Sequence, residues 1–172
     1  MTFVAVPQAW LLVILALVAV QRLLELLISR RHEKALRARG AVEVGAAHYP
    51  FIVAVHAGWL AALVLWAVIM PPLLHPALIV VYLLLQPVRA WIIGSLGRAW
   101  TTRIITLPGA PLVRRGPYRF LRHPNYVLVV LEIAILPLAL GAWPVAAVFS
   151  ILNATVLKIR IAAENAALDA RS

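Results

Sequence analysis

Apolar residues do not alternate along this chain; they gather into long runs, and most polar residues fall in the gaps. A first run extends from about Pro7 to Ile28, a second from about Pro50 to Met70 and a third from about Leu73 to Ile93. Each is near the ~20 residues that carry a helix across ~30 Å of hydrocarbon. Two shorter runs follow, about Pro124 to Leu140 and Trp143 to Leu157. The pattern predicts an all-α integral membrane protein with about five transmembrane helices, residues 1–172 forming one membrane-embedded domain. The first run contains Gln21, Arg22 and Glu25 and no small-residue cleavage site after its core, so it reads as a retained span. The last two runs are short enough that their ends are expected at the interface. Gly141, Ala142, Trp143 and Pro144 turn between them, and Lys158 and Arg160 are expected to snorkel at the far end.

Composition agrees: 64% of the 172 residues are hydrophobic and 13% charged, against about 45 to 50% and about 25% in soluble domains. Sixteen basic residues against six acidic ones give a net charge of +10. Their placement reads as orientation signals, with no basic stripe interleaved with aromatics as a nucleic-acid groove needs. Lys and Arg alternate between gaps. They are absent before the first span, at Met70–Leu74 and near Gly141, and present at Arg30–Arg39, at Arg98–Arg122 and at Arg171 in the tail. The positive-inside rule then puts the N-terminus outside and the C-terminus in the cytoplasm. Cysteine is absent, which excludes disulfides, thiolate nucleophiles and Cys-ligated metals. There is no three-histidine spacing for a metal and no Gly-rich dinucleotide fingerprint, so no metal site is expected.

The stretch from Ser95 to Arg122 is the one long connection, broken by Pro108, Gly109, Pro111, Gly116 and Pro117. It ends in Arg114-Arg115-Gly116-Pro117-Tyr118-Arg119-Phe120-Leu121-Arg122-His123-Pro124-Asn125-Tyr126. Proline suits the first turn of a helix, so the fourth span is expected to start at Pro124 and aim its backbone donors into a basic loop. Such a start attracts anions; an interfacial belt with a helix cap would look the same. Near the end of the fifth span, Asn153, Arg160 and Glu164 share one helical face at 100° per residue. Glu132 lies about halfway into the fourth span, where a carboxylate is costly and needs a partner, a proton or a wet cavity. His56, Arg22 and Arg89 are the candidate partners. Gln21, Arg22, Glu25 and Ser29 form a polar stripe read as the inward face of the first helix. His48 and His56 are candidates for a base or for packing residues.

These residues resemble the isoprenylcysteine carboxyl methyltransferases. The signature is Arg-His-Pro-x-Tyr at Arg122–Tyr126, preceded by Gly116-Pro117-Tyr118-Arg119 and followed by Arg160, Glu164 and Leu168. A bacterial branch is the nearer likeness, through Gln21-Arg22-Leu23 and Glu25, Arg39-Gly40-Ala41-Val42-Glu43, His48-Tyr49-Pro50 and Ser95-Leu96-Gly97. The resemblance implies a multi-pass enzyme of the bacterial inner membrane that uses S-adenosylmethionine, with its active site at the cytoplasmic boundary of the last two helices and a cofactor part at about residues 95–168. Carried over by position, Tyr118, Arg122, His123, Pro124, Asn125, Tyr126, Arg160 and Glu164 hold the cofactor. Arg160 and Glu164 are the catalytic pair, and His56, Glu132 and Asn153 are candidates for the acceptor. The chain departs from the family pattern at Asn165, where a second acid is frequent, and at Leu128, where a small residue is frequent.

The implied reaction is methylation of a lipid-like acceptor entering from the bilayer. A prenylcysteine-type carboxylate is already a nucleophile at neutral pH and needs only a cation such as Arg160. A hydroxyl, as in an alkylresorcinol or alkylpyrone, has a pKa near ~10 by analogy with tyrosine and wants a base. His123, Glu164 and Glu132 are the candidates for it. Three rivals remain at this level: an NADPH-dependent membrane reductase of the sterol-reductase type, a phospholipid N-methyltransferase, and a carrier or scaffold without enzymatic activity.

Overall fold

The computed structural model describes residues 2–169. Arg171, counted above among the orientation signals, lies outside the described residues. Five helices carry the chain: α1 Gln8–Arg37, α2 Tyr49–Ile69, α3 Pro76–Leu96, α4 Pro124–Ala139 and α5 Trp143–Asp169. Proline stands in the first turn of α2, α3, α4 and α5, as Pro50, Pro76, Pro124 and Pro144, where no intrahelical N–H is needed. Four of the five, all but α4, are long and apolar enough to cross a membrane. Helix α4 has 16 residues, about 24 Å of rise. Five helices were expected, and four of them meet the length of a full span.

Two expectations are corrected. The fifth helix does not end near Leu157: it runs on to Asp169 for 27 residues, about 40 Å. Lys158 and Arg160 break the apolar run without breaking the helix, because only Lys158 faces out. Arg160 is 7% exposed and does not snorkel. The fold is also not purely helical. Strand β1 (Val4–Ala5) pairs antiparallel with β3 (Leu73–Leu74), and β2 (Val42–Val44) pairs antiparallel with β4 (Ile104–Thr106).

Each small sheet closes one end of the helix bundle. At the end with the short, uncharged turns, β1 and β3 draw the chain start against the α2–α3 turn. Gln8 Nε2 donates to the last carbonyls of α2 at Ala67 (3.0 Å) and Val68 (3.1 Å), and His75 N donates to Ala139 O at 2.7 Å. These bonds satisfy groups that helix ends leave open. The apolar core lies toward this end and includes Leu11, Leu15, Trp59, Leu63, Tyr82, Ile133 and Leu136. Trp59 Nε1 donates to the Ile133 carbonyl at 3.2 Å. At the opposite, basic end lie β2, β4 and the long connection.

Candidate active site

The basic end is held by the extension of α1 beyond its apolar run. Ser29, fully buried, donates to Glu33 at 2.7 Å and accepts from Thr102 N at 2.8 Å. His32 Nδ1 donates to Trp100 O at 2.8 Å. Glu43 on β2 accepts from Arg37 at 2.5 Å and Arg103 at 2.6 Å, and the Arg103 guanidinium lies 4.0 Å from the centre of the Tyr49 ring. Burial works to raise the Glu43 pKa, but the hydrogen bonds from Arg103 and Arg37 outweigh it and hold the carboxyl below its ordinary range. The segment from Trp100 to Thr106 is thereby fixed against α1, α2 and β2.

A second tie seats the turn at Gly116–Arg119. Gly116 has φ +57°, and a Cβ there would stand 2.1 Å from Ser95 Oγ. Only glycine meets both the left-handed backbone and the close approach to α3. Arg115 Nε donates to Ser95 O at 2.7 Å, so the Ser95-Leu96-Gly97 and Gly116-Pro117-Tyr118 motifs are two sides of one contact. Burial, and then the nearby Glu164 charge, push the Tyr118 phenol above its ordinary range, so it remains a donor.

The turn leads into α4, whose first residues meet the far half of α5. Arg160 Nε donates to Tyr126 Oη at 2.8 Å, and Tyr126 OH donates in turn to the Glu164 carboxylate. Arg160 and Glu164 are therefore joined through a phenol and not as a direct ion pair. Arg160 Nη2 donates to Thr102 O at 2.7 Å. The His123 ring stacks on Tyr126 with centroids 5.3 Å apart; its Nδ1 lies 3.7 Å from Glu164, and its Nε2 donates to Asn165 Oδ1 at 2.8 Å. Asn165, where the family pattern often has a second acid, thus fixes the ring that faces the first acid. Arg122 is exposed and pairs with Asp169 at 2.5 Å.

Two cavities meet at this network. The larger, about 710 Å³, opens among the loops of the basic end and is lined by Tyr118, Arg122, His123 and Glu164, among others. The smaller, about 280 Å³, lies among α1, α2, α3, α4 and α5 and is lined by His56, Glu132 and Asn153 together with Arg22, Glu25 and Arg89. Asn125, Tyr126, Arg160, Trp100 and Thr101 line both, so they form the shared wall. Thr106 Oγ1 and Asn125 Oδ1, on residues lining the larger cavity, are buried without a hydrogen-bond partner among the described residues. Unpaired buried groups of this kind suit a ligand that carries hydroxyls and amines.

Glu132 has found partners, two of the three anticipated. Arg89 binds its carboxylate through Nε at 3.0 Å and through a closer Nη2 contact, Arg22 adds a bond at 3.2 Å and Gln86 one at 3.3 Å. Glu25 accepts from Arg22 at 2.8 Å, Arg89 at 3.1 Å and Gln21 at 3.1 Å. His56 is not part of this cluster: its Nδ1 donates to Ile52 O at 2.8 Å.

The structure therefore gathers Tyr118, Arg122, His123, Asn125, Tyr126, Arg160 and Glu164 around the larger cavity, with Pro124 buried at the first position of α4. It places His56, Glu132 and Asn153 around the smaller one. Sequence reasoning missed Gln86, whose amide bridges Gln21 and Glu132, and Thr102, which contributes a backbone carbonyl that no side-chain pattern announces. Among the described residues no group of three acids or histidines forms a metal site.

The family model described as the isoprenylcysteine carboxyl methyltransferase family matches residues 77–170. The uncharacterized protein YpbQ of Bacillus subtilis is 40% identical over 162 residues, covering 92% of this chain and 95% of that one. An uncharacterized protein of Haemophilus influenzae is 28% identical over 151 residues, covering 86% of this chain and 88% of its own. No solved structure gives a significant match.

Proposed function

The chain belongs to the isoprenylcysteine carboxyl methyltransferase family, and from that premise we propose that it is an integral-membrane, S-adenosylmethionine-dependent O-methyltransferase acting on a lipid-like acceptor. In this reading the basic end faces the cytoplasm of a bacterial inner membrane, the cofactor takes the larger cavity, and the acceptor reaches the smaller one from the bilayer. The single observation that carries it is the shared wall: Arg160 and Tyr126 border both cavities, so a donor on one side and an acceptor on the other would meet there.

The residues around the larger cavity fit the cofactor's chemistry. S-adenosylmethionine supplies a methyl group on a sulfonium, together with an amino-acid tail and a nucleoside. Glu164 offers a negative charge to an ammonium, and the α4 start with the surrounding arginines offers positive potential to a carboxylate. The unpaired Thr106 and Asn125 oxygens suit nucleoside or amine donors. The chain's own contribution is to fix the two reactants and exclude water. Positioning of this kind is worth up to about 7 to 11 kcal/mol and requires no covalent nucleophile.

The smaller cavity has three arginines against two glutamates, one positive charge in excess. Arg160 makes no ion pair among the described residues, its recorded bonds going to the neutral oxygens of Tyr126 and Thr102. That excess favours an acidic acceptor, a prenylcysteine-type carboxylate or an alkylresorcinol- or alkylpyrone-type hydroxyl, and disfavours the cationic amine of a phospholipid N-methyltransferase substrate.

Membranes containing the protein should transfer labelled methyl from S-adenosylmethionine to an extractable lipid. A base-labile product would be a methyl ester and a base-stable one an aryl or enol ether. Label confined to ethanolamine headgroups, or no label in any lipid, would overturn the reading.

A further inference from the structure

We propose that His56 is the general base for the acceptor and that the acceptor accordingly presents a hydroxyl. This rests on the methyltransferase reading above and adds to it a residue and a requirement on the substrate. The Ile52 carbonyl can only accept, so the 2.8 Å contact fixes the His56 proton on Nδ1. In the neutral ring Nε2 is then the lone-pair nitrogen, on a residue that lines the smaller cavity together with Arg160 and Tyr126.

The other basic groups are occupied or elsewhere. Both oxygens of Glu132 accept from arginine, and Glu25 accepts from two arginines and Gln21. The oxygens of both carboxylates are thus already engaged by donors of the chain. Glu164 and His123 line the larger cavity and not the smaller. The charged and titratable groups sharing the smaller cavity with His56 are Arg22 and Glu25 from α1, Tyr49 from α2, Arg89 from α3, Glu132 and Tyr126 from α4, and Arg160 from α5. Of these, His56 alone offers a ring nitrogen, Nε2, without a hydrogen-bond partner among the described residues. A carboxylate acceptor would have no use for it; a hydroxyl acceptor would.

In the step, an oxygen lone pair of the acceptor forms the bond to the methyl carbon while the O–H proton passes to Nε2. The methyl–sulfur bond breaks with its electron pair left on sulfur. One positive charge enters on the sulfonium and one leaves on the imidazolium, which returns its proton to water before the next turnover.

The test compares wild type with His56→Gln and His56→Ala on a long-chain alkylresorcinol and on an S-prenylated N-acetylcysteine. Glutamine keeps a hydrogen-bond acceptor but no base. We expect kcat on the resorcinol to fall about 10²- to 10⁴-fold in His56→Gln, with KM and calorimetric cofactor binding unchanged. The acid limb of the wild-type pH–rate profile should disappear, and added imidazole should partly restore His56→Ala. Activity on the carboxylate, where present, should fall far less, so that the loss is selective for the hydroxyl acceptor. Independently of activity, ¹⁵N-histidine NMR of the cofactor-free protein should show an Nδ1–H tautomer signal that is lost in His56→Gln, while that of His32, whose Nδ1 donates to Trp100 O, stays. An Nε2–H tautomer at His56, an unchanged resorcinol rate, an equal loss on both acceptors, or wild-type transfer to the carboxylate alone would each overturn the assignment while cofactor binding still upheld the methyltransferase reading. Failure of the wild type to bind S-adenosylmethionine would bring down both.

Discussion

Arg89 and Arg160 are both arginines buried among membrane helices, 4% and 7% exposed, and their surroundings differ. Arg89 is enclosed by carboxylates: Glu132 takes two of its nitrogens and Glu25 a third, with Arg22, Gln21 and Gln86 filling the remaining lone pairs. Its charge is cancelled within the protein, and the cluster joins α1, α3 and α4. Arg160 binds the Tyr126 hydroxyl and the Thr102 carbonyl, and meets Glu164 only through that phenol. One cluster is complete without a ligand, and the other keeps charge directed at the wall between two cavities. A buried ionic group thus carries opposite meanings depending on whether its counter-charge comes from the chain. For Arg89 the consequence is cohesion of the bundle; for Arg160, in the proposed reading, it is readiness for an acidic partner.

The sharpest way to break the comparison is to truncate both arginines to an apolar side chain of similar length. Arg89→Met leaves Glu25 and Glu132 with Arg22 alone, and loss of one partner from a buried pair costs about 3 to 5 kcal/mol. Thermal unfolding in detergent should register that loss, with activity falling alongside folded protein. Arg160→Met should unfold close to wild type, yet its methyl transfer should fall about 10²- to 10³-fold, as when one donor to reacting charge is removed. Equal stability losses in the two variants would erase the distinction.

The next effect sharpens the Arg160 side. His123→Ala and Glu164→Ala should each weaken cofactor binding by about 10-fold or more, the scale of a hydrogen bond to a charged group. His75→Ala, at the opposite end, removes a side-chain acceptor for Leu78 N at 3.4 Å and an edge-on ring contact with Phe3, and should leave binding unchanged. Calorimetry on the three variants checks this.

The smallest effect concerns the Glu43 clasp. Its pKa is lowered on folding, so its contribution is present above the ordinary carboxylate range and is lost as pH falls through the depressed folded value. Glu43→Gln should cost about 1 kcal/mol near neutral pH, and the difference from wild type in thermal unfolding should shrink as the solution is acidified below about pH 4.

How much of this was legible in the sequence follows from which interactions leave a periodic or motif signature. The three long apolar runs and the start of α4 at Pro124 were readable because lipid-facing helices need continuous apolar stretches. The extent of α5 was less so: Lys158, Arg160 and Glu164 end the apolar run, and only the shared face of Asn153, Arg160 and Glu164 pointed to a helix beyond it, while the inward direction of Arg160 depends on Tyr126 and Thr102, distant in sequence. Strands of two or three residues are too short to show an alternating pattern. Arg122–Tyr126 and Arg160 with Glu164 stood out as motifs, and the structure gathers them. Partnership was harder: Arg22 and Arg89 reach Glu132, but His56 turns to its own helix backbone at Ile52, a choice made by local geometry that residue type alone leaves open.

The central claim, that the larger cavity is a site for a methyl donor, is tested most directly by calorimetric titration of the purified protein in detergent with S-adenosylmethionine, S-adenosylhomocysteine and NADPH in parallel. The account predicts that the first two bind and NADPH does not, and that Glu164→Ala weakens both. Binding of NADPH alone would contradict it and turn the two cavities into the site of a lipid reduction.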